Sequence, residues 1–314
     1  MADPVPYDEG VLATPDGQLL HWEVVGDPDG PALVHLHGGP GSGCTGATRR
    51  AYADSGHRAV LLDQRGCGRS LPSAADPATS LAANTTQHQV ADLELLREHL
   101  GVERWTVVGS SWGVTLGLAY AQSHPHRVRA MVLMAVTAGT RREVEWITQD
   151  MGRVFPREWE RFAGLVPEME RDDLPRAYAR LLADSDPEVG DRAAREWCAW
   201  EGVHVSLMPG WAPDPRYDDP VLRTTFARLV THYWSADHFL PDGAGVHPGM
   251  ARVHGIPAVL VHGRFDVSGP LDTAWRLHRA WPGSELVVLG DAGHGGTGFA
   301  EARRDALAQF RRLR

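Results

Sequence analysis

Six short apolar runs, at residues 32–36, 59–62, 105–108, 128–135, 258–261 and 286–289, lack the polar alternation of a half-exposed strand. Such runs predict strands buried on both faces, as a parallel sheet covered by helices requires. Helical patterns separate them. Residues 86–100 carry Val90, Leu93, Leu96 and Leu100 at helical spacing, and 113–122, 272–280 and 299–313 are further helical stretches. Alternating strands and helices predict an α/β fold with a doubly wound, mostly parallel sheet and right-handed crossovers.

The alternation stops between about residues 138 and 240, where helical patterns at 141–151, 156–165, 174–183, 191–200 and 220–234 follow one another. The predicted division is a core of residues 1–137 and 241–314 with a helical cap of residues 138–240 inserted into it. Six of the eleven tryptophans fall in the cap: Trp146, Trp159, Trp197, Trp200, Trp211 and Trp234. Their rings can form the cap's own core, line a pocket beneath it, or do both.

Composition narrows the chemistry. A net charge of −9 over 314 residues argues against a nucleic-acid partner, which needs a basic stripe. No apolar run reaches the roughly 18 residues of a membrane span, and MADPVPYDEG has no leader pattern, so a cytoplasmic protein is expected. Cys44, Cys67 and Cys198 have no metal-binding spacing and read as free thiols. The chain contains no lysine; all 31 basic residues are arginine. That excludes a lysine Schiff base, a P-loop lysine and a Ser–Lys catalytic pair. The 16 histidines include no HExxH, and neither metal nor organic cofactor is expected.

Gly109-Ser110-Ser111-Trp112-Gly113 follows one predicted strand and opens a predicted helix. In that context G-x-S-x-G is a nucleophile elbow: small flanking residues permit the tight turn, and Ser111 is lifted to a helix N-terminus where negative charge is favoured. A serine nucleophile needs a base and an orienting acid. Asp266 follows the strand ending in Val259-Leu260-Val261-His262-Gly263, and His294 follows the last strand through Gly290-Asp291-Ala292-Gly293. Both stand just past strand ends, in the order Ser, Asp, His. Asp291 competes with Asp266 but precedes the histidine by only three residues. The loop His37-Gly38-Gly39-Pro40-Gly41 can bring backbone N–H groups to an oxyanion, with Gly39 and Trp112 as the expected donors. Asp63-Gln64-Arg65-Gly66-Cys67-Gly68-Arg69-Ser70 is expected to brace that loop through Arg65 and Asp63.

HGGPG at 37–41, DQRGCGRS at 63–70, GSSWG at 109–113, HGRFD at 262–266 and AGH at 292–294 together resemble the proline iminopeptidase family of α/β-hydrolases, over most of the chain. The resemblance implies an aminopeptidase that cleaves after an N-terminal proline, with a helical cap whose carboxylates bind the substrate's free amine. The segment Trp197-Cys198-Ala199-Trp200-Glu201-Gly202 resembles the family's W-x-x-W-E-G, which makes Glu201 one of those acids. Read from the residues alone, Glu201 precedes a possible capping glycine at a helix C-terminus, where its charge opposes the helix dipole. The bland reading is a surface glutamate paired with an arginine.

Two departures accompany the match. Ser110 stands for the family's second glycine before the nucleophile. Val230, within Ala227-Arg228-Leu229-Val230-Thr231-His232-Tyr233, stands where the family has its second acid. A more apolar pocket is expected there, with Glu143, Glu145 and Asp237 as possible substitutes for the carboxylate. This leaves open a specialised aminoacyl amidase acting on a non-peptide amide, or an esterase or thioesterase with the same triad. Epoxide hydrolases and dehalogenases carry Asp at the nucleophile position, and Ser111 argues against both.

Overall fold

A computed structural model describes residues 3–207 and 210–312. Eight strands form one sheet in the order β1-β2-β4-β3-β5-β6-β7-β8. The six apolar runs are its parallel part: β3 (Ala32–Leu36), β4 (Arg58–Leu62), β5 (Trp105–Ser111), β6 (Val128–Val136), β7 (Ala258–Gly263) and β8 (Ser284–Leu289). Strands β3 to β7 are buried almost throughout, as expected. Strand β8 is the exception, half-buried because it closes the sheet edge.

Two antiparallel strands, β1 (Asp8–Ala13) and β2 (Leu19–Gly26), extend the other edge and escape the apolar-run signal. In β1 only Leu12 is buried. Strand β2 is buried but interrupted by Glu23, whose carboxylate is fully enclosed and held by Arg49 at 2.7 Å and Arg69 at 2.8 Å. A buried ion pair hides a strand from hydropathy because it substitutes charge pairing for apolar packing.

Helices cover both faces. On one, α2 (Thr86–His99), α3 (Trp112–Ser123) and α9 (Leu271–Arg279) pack Leu93, Leu96, Leu116 and Leu277 onto the sheet. On the other, α1 (Gly46–Tyr52) and α10 (Phe299–Arg311) contribute Tyr52, Leu307 and Phe310. Each such side chain contributes about 1.5–3 kcal/mol when fully buried.

Between β6 and β7 the chain is helical: α4 (Arg141–Thr148), α5 (Pro156–Gly164), α6 (Leu174–Leu182), α7 (Pro187–His204) and α8 (Pro220–Trp234). These helices have their own core, in which Phe162 stacks on Tyr178 and Trp200 while Trp197 meets both Phe162 and Tyr178 edge-on. Helix α7 is longer than its apolar pattern. It starts at a Pro after the Asp186 N-cap and runs through Gly202 to His204, so Gly202 is not a cap and Glu201 lies within the last turn. No helix among the described residues is long and apolar enough to cross a membrane, and Cys44, Cys67 and Cys198 are free.

Candidate active site

Ser111 ends β5 and caps α3 with φ 53° and ψ −125°, a conformation that costs a non-glycine residue about 1–3 kcal/mol. Packing holds it there. A Cβ on Gly113 would lie 2.0 Å from the Leu36 carbonyl oxygen, so only glycine lets α3 start directly against the end of β3. Below the turn, the Thr137 hydroxyl donates to the Ser111 carbonyl at 2.8 Å. The Ser111 hydroxyl borders a small cavity of about 50 Å3. Ser110 faces a different surface pocket, with His35 and Met134.

The loops after β7 and β8 bring two groups to this serine. His294 Nε2 lies 3.1 Å from Ser111 Oγ, and His294 Nδ1 lies 2.9 Å from Asp266 Oδ2. The other Asp266 oxygen accepts from Gly269 N–H at 2.9 Å. Asp291, the alternative acid, is exposed. Burial pushes the Asp266 carboxyl upward, but His294, His262 and the Gly269 N–H outweigh it and hold the group below the usual carboxylate range. Burial likewise pushes His294 down, yet the charges of Asp266 and then Glu201 raise it above an ordinary imidazole. His262 accepts from Val136 N–H through Nδ1 and faces the Gly269 carbonyl through Nε2, which ties β6 to the Asp266 loop.

Gly39 and Trp112 border the cavity beside Ser111. Gly39 has φ +109°, and a Cβ there would stand 2.5 Å from Gly41 N. Trp112 is the first residue of α3, so its N–H has no acceptor within the helix. The brace beneath this loop is Gln64, not Arg65. Gln64 Nε2 donates to the His37 carbonyl at 3.0 Å, its backbone N–H donates to His37 Nε2 at 3.2 Å, and its Oε1 accepts from the Trp112 indole at 2.9 Å. Arg65 turns away and pairs with Asp92 and Asp16. Asp63 accepts from Cys44 N–H at 2.7 Å, just past the loop, and from Arg69 at 2.8 Å.

Glu201 borders the same cavity, with 19% of its side chain exposed. No arginine among the described residues lies within ion-pair reach of it; its partner is His204, at 3.1 Å. Burial raises the Glu201 carboxyl, but His204 and His294 outweigh burial and hold it below the ordinary range. Of the cap tryptophans, Trp234 borders the cavity, while Trp197 and Trp200 are enclosed in the cap core.

Val230 is fully buried in that core and does not line the cavity, contrary to the expectation of a more apolar pocket wall. Among the possible substitute acids, Glu143 reaches the cavity, but it caps α4: its oxygens accept from Ala138 N–H at 3.0 Å and from Thr140 N–H at 2.9 Å. Glu145 borders a neighbouring pocket, and Asp237 pairs with Arg141. Among the described residues, the group close enough to hold a cation is Glu9, His21 and Glu23 on β1 and β2. Arg49 and Arg69 already neutralise Glu23 there, which opposes a cation.

Comparison with known proteins agrees with this architecture. The alpha/beta hydrolase fold family matches residues 31–297. A probable proline iminopeptidase of Streptomyces coelicolor is 48% identical, covering 98% of this chain and 96% of the relative. The proline iminopeptidase of Xylella fastidiosa strain Temecula1 is 41% identical, covering 96% and 95%. The crystal structure of a Mycobacterium smegmatis proline iminopeptidase, 20% identical, superposes with a TM-score of 0.62 over 97% of this chain and 99% of that one, a likeness of fold. With full-length relatives at these identities, the chain belongs to the proline iminopeptidase family of α/β-hydrolases.

Proposed function

We propose that this chain is a serine aminopeptidase that releases an N-terminal proline from short peptides through an acyl-enzyme. The observation that carries the reading is the continuous chain Ser111–His294–Asp266, at 3.1 and 2.9 Å, opening into a cavity that also contains Glu201. His294 Nε2 takes the Ser111 proton as Oγ attacks the prolyl carbonyl, and Asp266 holds the imidazole with its other nitrogen protonated. The N–H groups of Gly39 and Trp112 stabilise the oxyanion. His294 then protonates the departing amine, and the same imidazole activates the water that frees proline. Glu201 pairs with the substrate's secondary ammonium, which restricts cleavage to the first residue. Residues 138–240 serve as the cap that closes this amine site over the triad.

Short peptides in the cytoplasm are the substrates in this reading, and the net charge of −9 suits neither a nucleic-acid partner nor an anionic surface. The test is hydrolysis of prolyl-, alanyl- and N-acetylalanyl-arylamides by wild type and Glu201→Gln. Preference for proline, lost in the variant, is expected. Preference for alanyl over prolyl substrates would replace it with another aminoacyl amidase, and equal turnover of the acetylated substrate would leave a general acyl hydrolase.

A further inference from the structure

His204 borders the cavity beside Glu201, and no sequence motif points to it. Its side chain is 2% exposed. Nδ1 is 3.0 Å from the Ser268 hydroxyl, and Nε2 is 3.1 Å from Glu201 Oε2. With the proton on Nε2, the Ser268 hydroxyl donates to Nδ1 and the imidazole N–H faces the carboxylate, so both ring nitrogens have partners. Ser268 follows Asp266 by two residues, and the next residue, Gly269, donates its N–H to Asp266 at 2.9 Å. One loop after β7 therefore carries the triad acid and, through Ser268 and His204, reaches the amine-binding carboxylate. Glu201, His204, Ser268, Ser111 and His294 all border the same cavity.

We propose that His204 is the positioning residue of the amine site. It fixes one Glu201 oxygen and leaves the other for the substrate's ammonium, while Ser268 sets the imidazole from the triad loop. This rests on the aminopeptidase reading above and identifies a specificity determinant within it. Helix α7 supplies both groups from successive positions of one turn, i and i+3, so the pair is rigid against the helix. A single carboxylate held in one geometry can select a charged ring nitrogen at a fixed distance from Ser111.

The test compares L-prolyl p-nitroanilide with the tetrahydrofuran-2-carbonyl p-nitroanilide, which has oxygen in place of the ring nitrogen and no charge. The enzymes are wild type, His204→Phe, His204→Gln, Ser268→Ala and Glu201→Gln. His204→Phe is expected to raise KM for the prolyl substrate about tenfold or more, with kcat changed by less than about threefold, as loss of a hydrogen bond to a charged group implies. His204→Gln, which can still donate to Glu201, should recover most of that loss, and Ser268→Ala should show a smaller rise. The loss of kcat/KM should be at least about fivefold larger for the prolyl than for the oxygen substrate. Equal losses on both substrates would reduce His204 to a packing residue, and no loss on either would remove it from the site. If His204→Phe fails to fold, the Gln and Ser268 variants decide by the same ratio. Prolyl turnover that survives Glu201→Gln unchanged would instead overturn the amine-site reading itself, whatever His204 does.

Discussion

Glu201, in the last turn of α7, and His294, past the end of β8, border one cavity, and the carboxylate raises the proton affinity of the imidazole by charge alone, after the larger effect of Asp266. The acid proposed to bind the amine thus also contributes to the titration of the proposed base. The base must be neutral to accept the Ser111 proton, so activity falls as pH drops through the His294 value. Replacing Glu201 by Gln removes an anion, lowers that value, and should move the acid limb of kcat/KM to lower pH. The uncharged tetrahydrofuran-2-carbonyl substrate is the one to use, because it does not titrate. A limb that stays in place, or moves to higher pH, would show that Glu201 does not act on His294.

Asp266→Asn keeps the shape of the triad but cannot hold the productive tautomer of His294. A fall in kcat of about 10⁴-fold is expected, with little change in KM. Asp291→Asn, three residues before the histidine and exposed, should leave kcat within about twofold of wild type, as surface substitutions do. Steady-state kinetics on prolyl arylamide, with fluorophosphonate labelling of Ser111 as a second readout, distinguishes the two acids. A large loss in Asp291→Asn with none in Asp266→Asn would reverse their assignments.

The sequence made local geometry legible and long-range pairing opaque. Strands β3 to β7 announce themselves because each is apolar on both faces, and the elbow at Ser111 because its glycines, strand and helix are contiguous. The placement of Asp266 and His294 just past the ends of β7 and β8 is legible in the sequence. Strand β2 is not, since Glu23 breaks its hydropathy and its arginine partners lie at positions 49 and 69. Gln64 carries no local signal because its side-chain partners, His37 and Trp112, are 27 and 48 residues away. Arg65 stands out in sequence as a charged member of the same loop, yet its acids are on α2 and in the β1–β2 turn. His204 was hidden by Gly202, which reads as a helix stop and sits instead inside α7.

Gln64 is therefore the position at which to test the oxyanion loop. Gln64→Leu preserves bulk but leaves the His37 carbonyl and the Trp112 indole without their partners. Two lost hydrogen bonds in a buried site imply destabilisation of about 1–3 kcal/mol. Because both partners flank Gly39 and Trp112 N–H, kcat on prolyl arylamide should also fall, on the order of tenfold to a hundredfold, with KM little changed. Gln64→Glu retains the acceptor for Trp112 but sets a carboxylate against the His37 carbonyl, and should be the worse variant. Thermal unfolding and kinetics on the same preparations separate stability from chemistry; a lowered Tm with unchanged kcat would confine Gln64 to folding.

Val230 invites the opposite expectation from sequence and from structure. Restoring glutamate where the family has an acid suggests recovery of a second amine contact. The structure places Val230 among Phe226, Ala227 and Trp200 in the closed cap core, away from the cavity. A carboxylate there loses its hydration with no cation to replace it, a cost of several kcal/mol unless the group is neutral or the cap opens. Val230→Glu is therefore expected to lower Tm and to weaken prolyl turnover through disorder of α8, which carries Trp234 into the cavity wall. Val230→Thr, nearly isosteric, should lose less stability and keep the prolyl preference. A rise in prolyl kcat/KM in Val230→Glu would instead mean that α8 can turn this position toward the substrate and that Glu201 does not act alone.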